Sequence, residues 1–348
     1  MEMGKSILSD VSVVIVTYKG DEVLSKCLAS LRDSGCAEAQ VVVVDNSPGD
    51  IPEQSATAAL VSAHPGAIYV PSPGNPGFAG GNNLAMPYCT RKWVLLLNND
   101  TVVRSRRSIE EMAEFLQARP ECGVVQGSIV LPRVGERVAG GCGSYLTPFG
   151  FQYARGFGVP LDRPGLQSAV RCFSVMGAFM MFPRRLIEAG NDDGVGFLFY
   201  DHFRSYYEES DFCHRVWLAG YEVWYLPTEP IEHWCGYTAG MFDRAEIMRQ
   251  YIRNSFFSLK ANLGLWGRMT IVPAYSMVMI AHALVHLIKG NAGVFRNDLA
   301  VFREIFGLRA KIAAARAQIR RKTGDRVLFR KVLRFPPLSY FLQAAKSK

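Results

Sequence analysis

The chain of 348 residues contains no Cys-x-x-Cys pair. Its eight cysteines, at 27, 36, 89, 122, 142, 172, 213 and 235, are scattered, and several sit in apolar runs. That spacing argues against a zinc ribbon or a redox motif and fits small core residues in a reducing compartment. No G-x-G-x-x-G follows the first apolar segment, no acid stands at the distance a dinucleotide site requires, and the Gly-rich stretch lacks the lysine of a P-loop. Internal repeats and low-complexity tracts are missing too. The apolar stretch at 11–16 is followed at once by Lys19, Asp21 and Glu22, too soon for the apolar segment of a signal peptide. It reads as a first strand.

What is present is an ordinary globular composition, 49% hydrophobic and 20% charged, on a chain long enough for two domains and a sizeable core. The net charge of +8 hides an asymmetry. Residues 1–240 carry 19 Lys/Arg against 26 Asp/Glu, a balance of −7, and residues 241–348 carry 20 against 5, a balance of +15. A basic module of this kind seeks phosphates, those of nucleic acid or of an anionic membrane surface.

Up to residue 131 short apolar runs alternate with amphipathic stretches. Strands are expected at 11–17, 41–44, 67–70, 93–97 and 123–130, with helices near 21–33, 53–62, 79–88 and 109–119. This βαβα rhythm predicts an α/β fold with a doubly wound, mainly parallel sheet. Beyond it come a strand run at 172–182, a short helix opened by Pro183, a helix over 206–219 and a strand at 221–226. The domain reading is 1–240 for the α/β unit and 241–348 for a basic helical region.

Polar residues interrupt this framework just after strands or at helix starts: Thr17-Tyr18, Asp45-Asn46, "GNPGFAGGNN" (74–83) and "NNDT" (98–101). Later come "YYEESDFCHR" (206–215) and "IEHWCG" (231–236). In open α/β sheets ligands sit beyond the carboxyl ends of strands. An acid there, Asp100, with His233 in company, suits a hard divalent ion that takes its other ligands from substrate phosphates and water.

The ordered segments "VSVVIVTY", "VVVVDNSPGD", "NPGFAGGNN", "WVLLLNNDT", "GAFMMFPRR" and "YYEESDFCHRVWLAGYEVWYLPTEPIEHW" resemble family 2 glycosyltransferases of GT-A fold, most nearly the rhamnosyltransferase-like subgroup. The resemblance covers residues 11 to about 240. It implies that Thr17 and Tyr18 line the base and ribose pocket, that Asp45 reaches the base, and that Gly81, Asn82, Asn98 and Asn99 lie on the nucleotide-sugar. Asp100 is then the ligand of a Mn²⁺ or Mg²⁺ ion, with His233 as a second. Glu209 takes the part of general base, with Glu208 and Asp211 as rivals, and Gly177 stands on the acceptor side. Asp211 and Arg215, four apart on a helix, also suit an ion pair. The implied reaction is inverting transfer of a sugar, rhamnose from dTDP-rhamnose or another from a UDP-sugar, to a lipid-linked or other glycan acceptor. A nucleotidyltransferase would want a Gly-rich loop with a basic residue directly after the first strand, which Thr17-Tyr18-Lys19-Gly20 does not supply.

In the basic third, residues 270–288 carry no formal charge over 19 residues, bracketed by Arg268 and Lys289. That length reaches the range of a membrane span. Pro273, Ser276, His282 and His286 favour a helix lying in the interface, with a span as the second reading, and no third ligand joins the two histidines for zinc. Residues 297–322 read as an Arg-rich amphipathic helix with Leu299, Phe302, Ile305 and Phe306 on one side, a membrane-surface pattern. The expected partner is therefore a membrane rather than nucleic acid, and the expected location is the cytoplasmic face of the plasma membrane. The oligomeric state is left open.

Overall fold

Six of the seven residues of β1 (Val11–Thr17) are β-branched, which favours pleated, buried backbone over helix. β1 pairs in parallel with β2 (Gln40–Asp45) on one side and with β4 (Trp93–Leu97) on the other, and β3 (Ile68–Pro71) pairs in parallel with β2. The crossovers are α1 (Asp21–Asp33), α2 (Ala56–Ser62), α3 (Gly77–Ala85) and α4 (Arg107–Ala118). In α1 the expected face Leu24, Leu28 and Leu31 is buried. In this computed structural model residues 6–47, 49–133, 136–234 and 243–337 are described. Cys235, Gly236, the expected boundary at 240 and the chain after 337 lie outside them.

The main sheet has eight strands in the order β11-β13-β6-β12-β4-β1-β2-β3, with β6 (Cys122–Gln126), β11 (Val170–Arg171), β12 (Phe179–Pro183) and β13 (Glu222–Tyr225). It is parallel except at β12, which runs antiparallel to both β4 and β6, and at the edge strand β11. A second sheet has the order β5-β14-β7-β8, made of β5 (Thr101–Val102), β14 (Ile231–His233), β7 (Ile129–Arg133) and β8 (Glu136–Ala139). A two-stranded ribbon joins β9 (Ser144–Leu146) to β10 (Gln152–Ala154).

Several element limits differ from the sequence reading. The strand expected at 123–130 is two strands, because the chain leaves the main sheet at Gly127. A Cβ there would stand 2.4 Å from the Phe179 ring, so only glycine passes. The run 172–182 is a strand only from Phe179; before it, Met176 N–H is taken by the Gln126 side chain at 2.9 Å. The helix expected over 297–322 is broken into α8 (Ala292–Gly307) and α9 (Arg309–Gln318).

The basic region is helical, with α5 (Glu208–Leu218) before it and α6 (Arg244–Asn262), α7 (Leu265–Ile288), α8, α9 and α10 (Asp325–Val332) within it. It is not a separate body. Phe257, Leu259, Tyr275, Val301 and Leu328 belong to the same apolar core as Val14, Leu96, Phe182 and Phe212. Arg316 Nη1 donates to the carbonyls of Lys260, Ala261 and Leu263 at 2.9, 3.0 and 2.9 Å, closing the end of α6. The Asp325 carboxylate accepts from Gly264 N–H at 2.9 Å and Gly267 N–H at 3.1 Å and so caps the start of α7. Asp325→Ala is expected to lower stability by about 1–2 kcal/mol, read as a shifted denaturant midpoint with unchanged slope.

Candidate active site

β4 is buried along its whole length and delivers Asn98, Asn99 and Asp100 to its carboxyl end. Asn98 N–H donates to Ala178 O at 3.1 Å, continuing the β4–β12 pairing by one residue. The Asn99 side-chain amide donates to Thr17 Oγ1 at 2.9 Å, which ties the ends of β4 and β1 together. The next two residues form β5, and its antiparallel register sets His233 opposite Thr101. Trp234 N–H donates to Asp100 O at 3.0 Å. His233, far away in sequence, is thereby fixed beside the acid.

His233 Nε2 stands 3.1 Å from Asp100 Oδ1 and 3.2 Å from Asn98 Nδ2. Carrying a proton, this nitrogen donates to the carboxylate; without one, its lone pair accepts from the amide or binds a metal. Asp100 Oδ1 is buried, and apart from this imidazole nitrogen no hydrogen-bond donor reaches it among the described residues. An under-used carboxylate oxygen beside an imidazole is a donor set suited to Mn²⁺ or Mg²⁺. No group of three or more His, Cys, Asp or Glu side chains that could hold an ion occurs among the described residues. An ion held by these two residues would have to take its remaining ligands from water and from a bound phosphate.

These residues form one wall of a cleft of about 430 Å³. Thr17, Tyr18, Asn98, Asn99, Gly177, Glu208 and Glu209 line it as well. Both glutamates come from the first turn of α5, where the helix dipole favours acids. Burial pushes the Glu209 carboxyl up to about 7. Glu208 is raised further, by burial first and by the charge of Glu209 second. Of the pair, Glu209 is the less strongly raised. A Cβ on Gly177 would lie 3.2 Å from the Phe78 ring and 3.7 Å from Glu209 Cβ, so glycine keeps the cleft open beside the acid.

The turn leading into α5 is strained. Arg204, Tyr206 and Tyr207 have φ of 59°, 70° and 76°, the left-handed region that costs residues with a Cβ about 1 kcal/mol or more each. Asn254 of α6 holds the turn: its amide nitrogen donates to Phe203 O, Ser205 O and Tyr206 O at 3.0, 3.1 and 2.7 Å. Tyr207 packs edge-on against Tyr251, with centroids 5.4 Å apart. The same helix brings Ile247, Gln250 and Tyr251 to the cleft.

Four expected site residues lie elsewhere. The Asp45 carboxylate is fully buried and accepts from Ser47 N–H at 2.8 Å, Tyr69 OH at 3.0 Å and Ser55 Oγ at 3.3 Å. It braces the loop after β2, and its neighbour Asn46 lines the cleft instead. Gly81 faces β1, where a Cβ would meet Val16 at 2.7 Å, and Asn82 donates back into α3 to Phe78 O at 2.9 Å. Asp211 is spent on structure: it accepts from Arg215 Nε at 2.9 Å and from the Asn262 amide at 2.7 Å, all three buried.

Sequence reasoning missed Asn75, Arg204, Gln250 and Tyr251 as lining residues. The two α6 residues fell in the charge-defined C-terminal region and carried no motif. A second cleft, about 830 Å³, reaches Asp100 from the α1 side. It is lined by Glu22, Asp33 and Glu232 with Lys26 and Arg104, and by none of the strand-end amides.

The family model "Glycosyl transferase family 2" matches residues 12–176. The low-salt glycan biosynthesis hexosyltransferase Agl10 of Haloferax volcanii is 31% identical over 217 residues, 61% of this chain and 63% of that protein. The match thus spans under two thirds of this relative's length. Among solved structures, the mannosyltransferase of Pyrobaculum calidifontis in complex with GDP-Man and Mn²⁺ aligns with a TM-score of 0.52 at 16% identity, over 97% of this chain and 83% of that one. GalNAc-T7 with UDP, GalNAc and Mn²⁺ aligns with a TM-score of 0.54 at 12% identity, over 72% and 47%. At these identities the structural likeness establishes the GT-A-like fold.

Removing Asp211 leaves Arg215 buried without its carboxylate. Asp211→Ala should therefore cost about 3–5 kcal/mol, seen as a large drop in melting temperature. Asn254→Ala should cost about 1–3 kcal/mol by orphaning carbonyls of the strained turn.

Proposed function

We propose that the protein is a family 2 glycosyltransferase that transfers a sugar from a nucleoside diphosphate donor to a hydroxyl of a glycan, inverting the anomeric carbon, a reading that the family match over residues 12–176 supports. The observation that carries this reading is one cleft with two unlike walls. One wall has Asp100 and His233 at a strand end; the other has the acid pair Glu208 and Glu209 at the start of α5.

Transfer forms a bond from the acceptor oxygen to the sugar C1 while the bond from C1 to the diphosphate breaks. The hydroxyl proton passes to the Glu209 carboxylate, and the electron pair leaves with the diphosphate. Glu208 keeps its own proton at that stage, so the pair carries one negative charge before the proton moves. A divalent ion, Mn²⁺ or Mg²⁺, held by Asp100 and His233 would offset the charge of the diphosphate. Thr17, Tyr18 and Asn46 give the nucleoside a polar pocket at the ends of β1 and β2.

The donor sugar in this reading is a hexose, with a 6-deoxy sugar such as rhamnose on dTDP as first choice and UDP-sugars as the alternative. Phe78, Met176 and Ile247 give the cleft an apolar side that supports a deoxy sugar. The acceptor is a lipid-linked glycan of cell-envelope synthesis, reached at the cytoplasmic face of the membrane. The described cysteines, all buried thiols, support a reducing compartment.

Glu209→Gln should lower kcat about 10²–10⁴-fold and leave donor affinity nearly unchanged, in a transfer assay with dTDP- and UDP-sugars. Asp100→Ala should instead weaken metal-dependent donor binding about tenfold or more, measured by calorimetry. The base works ionised, so activity should rise with pH through a midpoint near 7 and fall away on the acid side. Glu208→Gln should leave that midpoint nearly unchanged, because a protonated Glu208 adds no charge and burial is what raises Glu209.

A further inference from the structure

α7 is amphipathic in an unusual sense: its outward face is the apolar one. Gly267, Ile271, Tyr275, Met279 and Ala283, spaced by four, are buried against the protein. Tyr275 is locked there, its hydroxyl 2.7 Å from Ser255 Oγ and its ring stacked on Phe151 at 4.5 Å. The outward side carries Met269, Met277, Ile280, Leu284 and Ile288, which are 70%, 64%, 49%, 51% and 84% exposed. No Asp, Glu, Lys or Arg occurs from 269 to 288, so the apolar face runs about 30 Å. A soluble monomer rarely leaves so much apolar surface uncovered.

The surroundings specify what covers it. Arg268 and Lys289 bracket the charge-free stretch, and residues 241–348 carry a net +15. α8 packs along α7 and turns Arg296, Leu299, Arg303 and Phe306 outward at helical spacing on one side. The Arg309 guanidinium lies 4.0 Å from the Phe306 ring centroid. Apolar side chains framed by cations complement a layer of acyl chains under anionic headgroups. A second copy of this chain would bring like charge against like charge.

We propose that the outward faces of α7 and α8 bind the surface of an anionic lipid bilayer, with α7 lying in the membrane plane. Spanning would break the Tyr275–Ser255 bond and the Asp325 cap of Gly264 and Gly267, and would strip the buried stripe from the core. α6 carries Ser255, which holds α7, together with Tyr251 and Asn254, which shape the cleft. Docking therefore fixes the height of the cleft over the lipid surface. This rests on the membrane-side acceptor of the proposed function for its purpose alone, since vesicle binding needs neither donor nor acceptor.

The test is co-sedimentation of the full chain with vesicles of phosphatidylcholine alone or mixed with phosphatidylglycerol. Two variants are compared, one with Met277→Glu, Ile280→Glu and Leu284→Glu, the other with Arg296→Glu and Arg303→Glu. Both change exposed positions, and thermal melts and donor hydrolysis verify that each folds. Wild type should bind the anionic vesicles about tenfold or more tightly than neutral ones, and each variant should lose about tenfold or more. Alkaline carbonate should release the bound protein. Equal binding by wild type and the triple variant, resistance to carbonate, or a soluble dimer that the triple variant dissolves would each overturn the proposal. Donor hydrolysis without vesicle binding would sink it and spare the transferase reading; vesicle binding without any donor turnover would do the reverse.

Discussion

One neutral amide holds in shape the half of this cleft that carries the acid pair. An acid pair cannot be buried at a helix start unless the preceding backbone delivers it there, and here that backbone has left-handed φ at Arg204, Tyr206 and Tyr207. Asn254 donates to three carbonyls of this turn, those of Phe203, Ser205 and Tyr206, and offsets part of the strain without adding charge. Burial of the first turn of α5 pushes the Glu209 carboxyl up to about 7.

The other half depends on strand register. His233 meets Asp100 because β14 pairs with β5 antiparallel and with β7 in parallel, in a sheet distinct from the main one. A shift of one residue would turn the imidazole to the opposite face. The two halves therefore have different origins. One is a strand end reinforced by backbone pairing, and the other is a strained turn reinforced by a helix from the basic region.

Much of this was legible in the sequence, where periodicity and punctuation spoke directly. The alternation up to residue 131 gave the parallel strands and their crossovers, and the four-residue spacing of Asp211 and Arg215 announced their ion pair. What was not legible depends on partners. Nothing in "FMMFP" says that it runs antiparallel between β4 and β6. The resemblance implies that Asp45 reaches the base, whereas here Ser47, Ser55 and Tyr69 take up its oxygens. Dividing the chain by charge at 240 hid Tyr251 and Asn254, whose helix completes the site while its neighbours carry the cations.

The shared role of α6 joins the two properties argued for this protein: a transfer site on one side and an apolar, cation-framed face on the other. A glycan acceptor held at a lipid surface would need both at a fixed separation. The most direct test of the central claim is calorimetric binding of a panel of dTDP-, UDP- and GDP-sugars, each with and without Mn²⁺. The account predicts that one donor class binds and that the ion strengthens it. Failure of every sugar nucleotide to bind, with the ion and without it, would contradict the account.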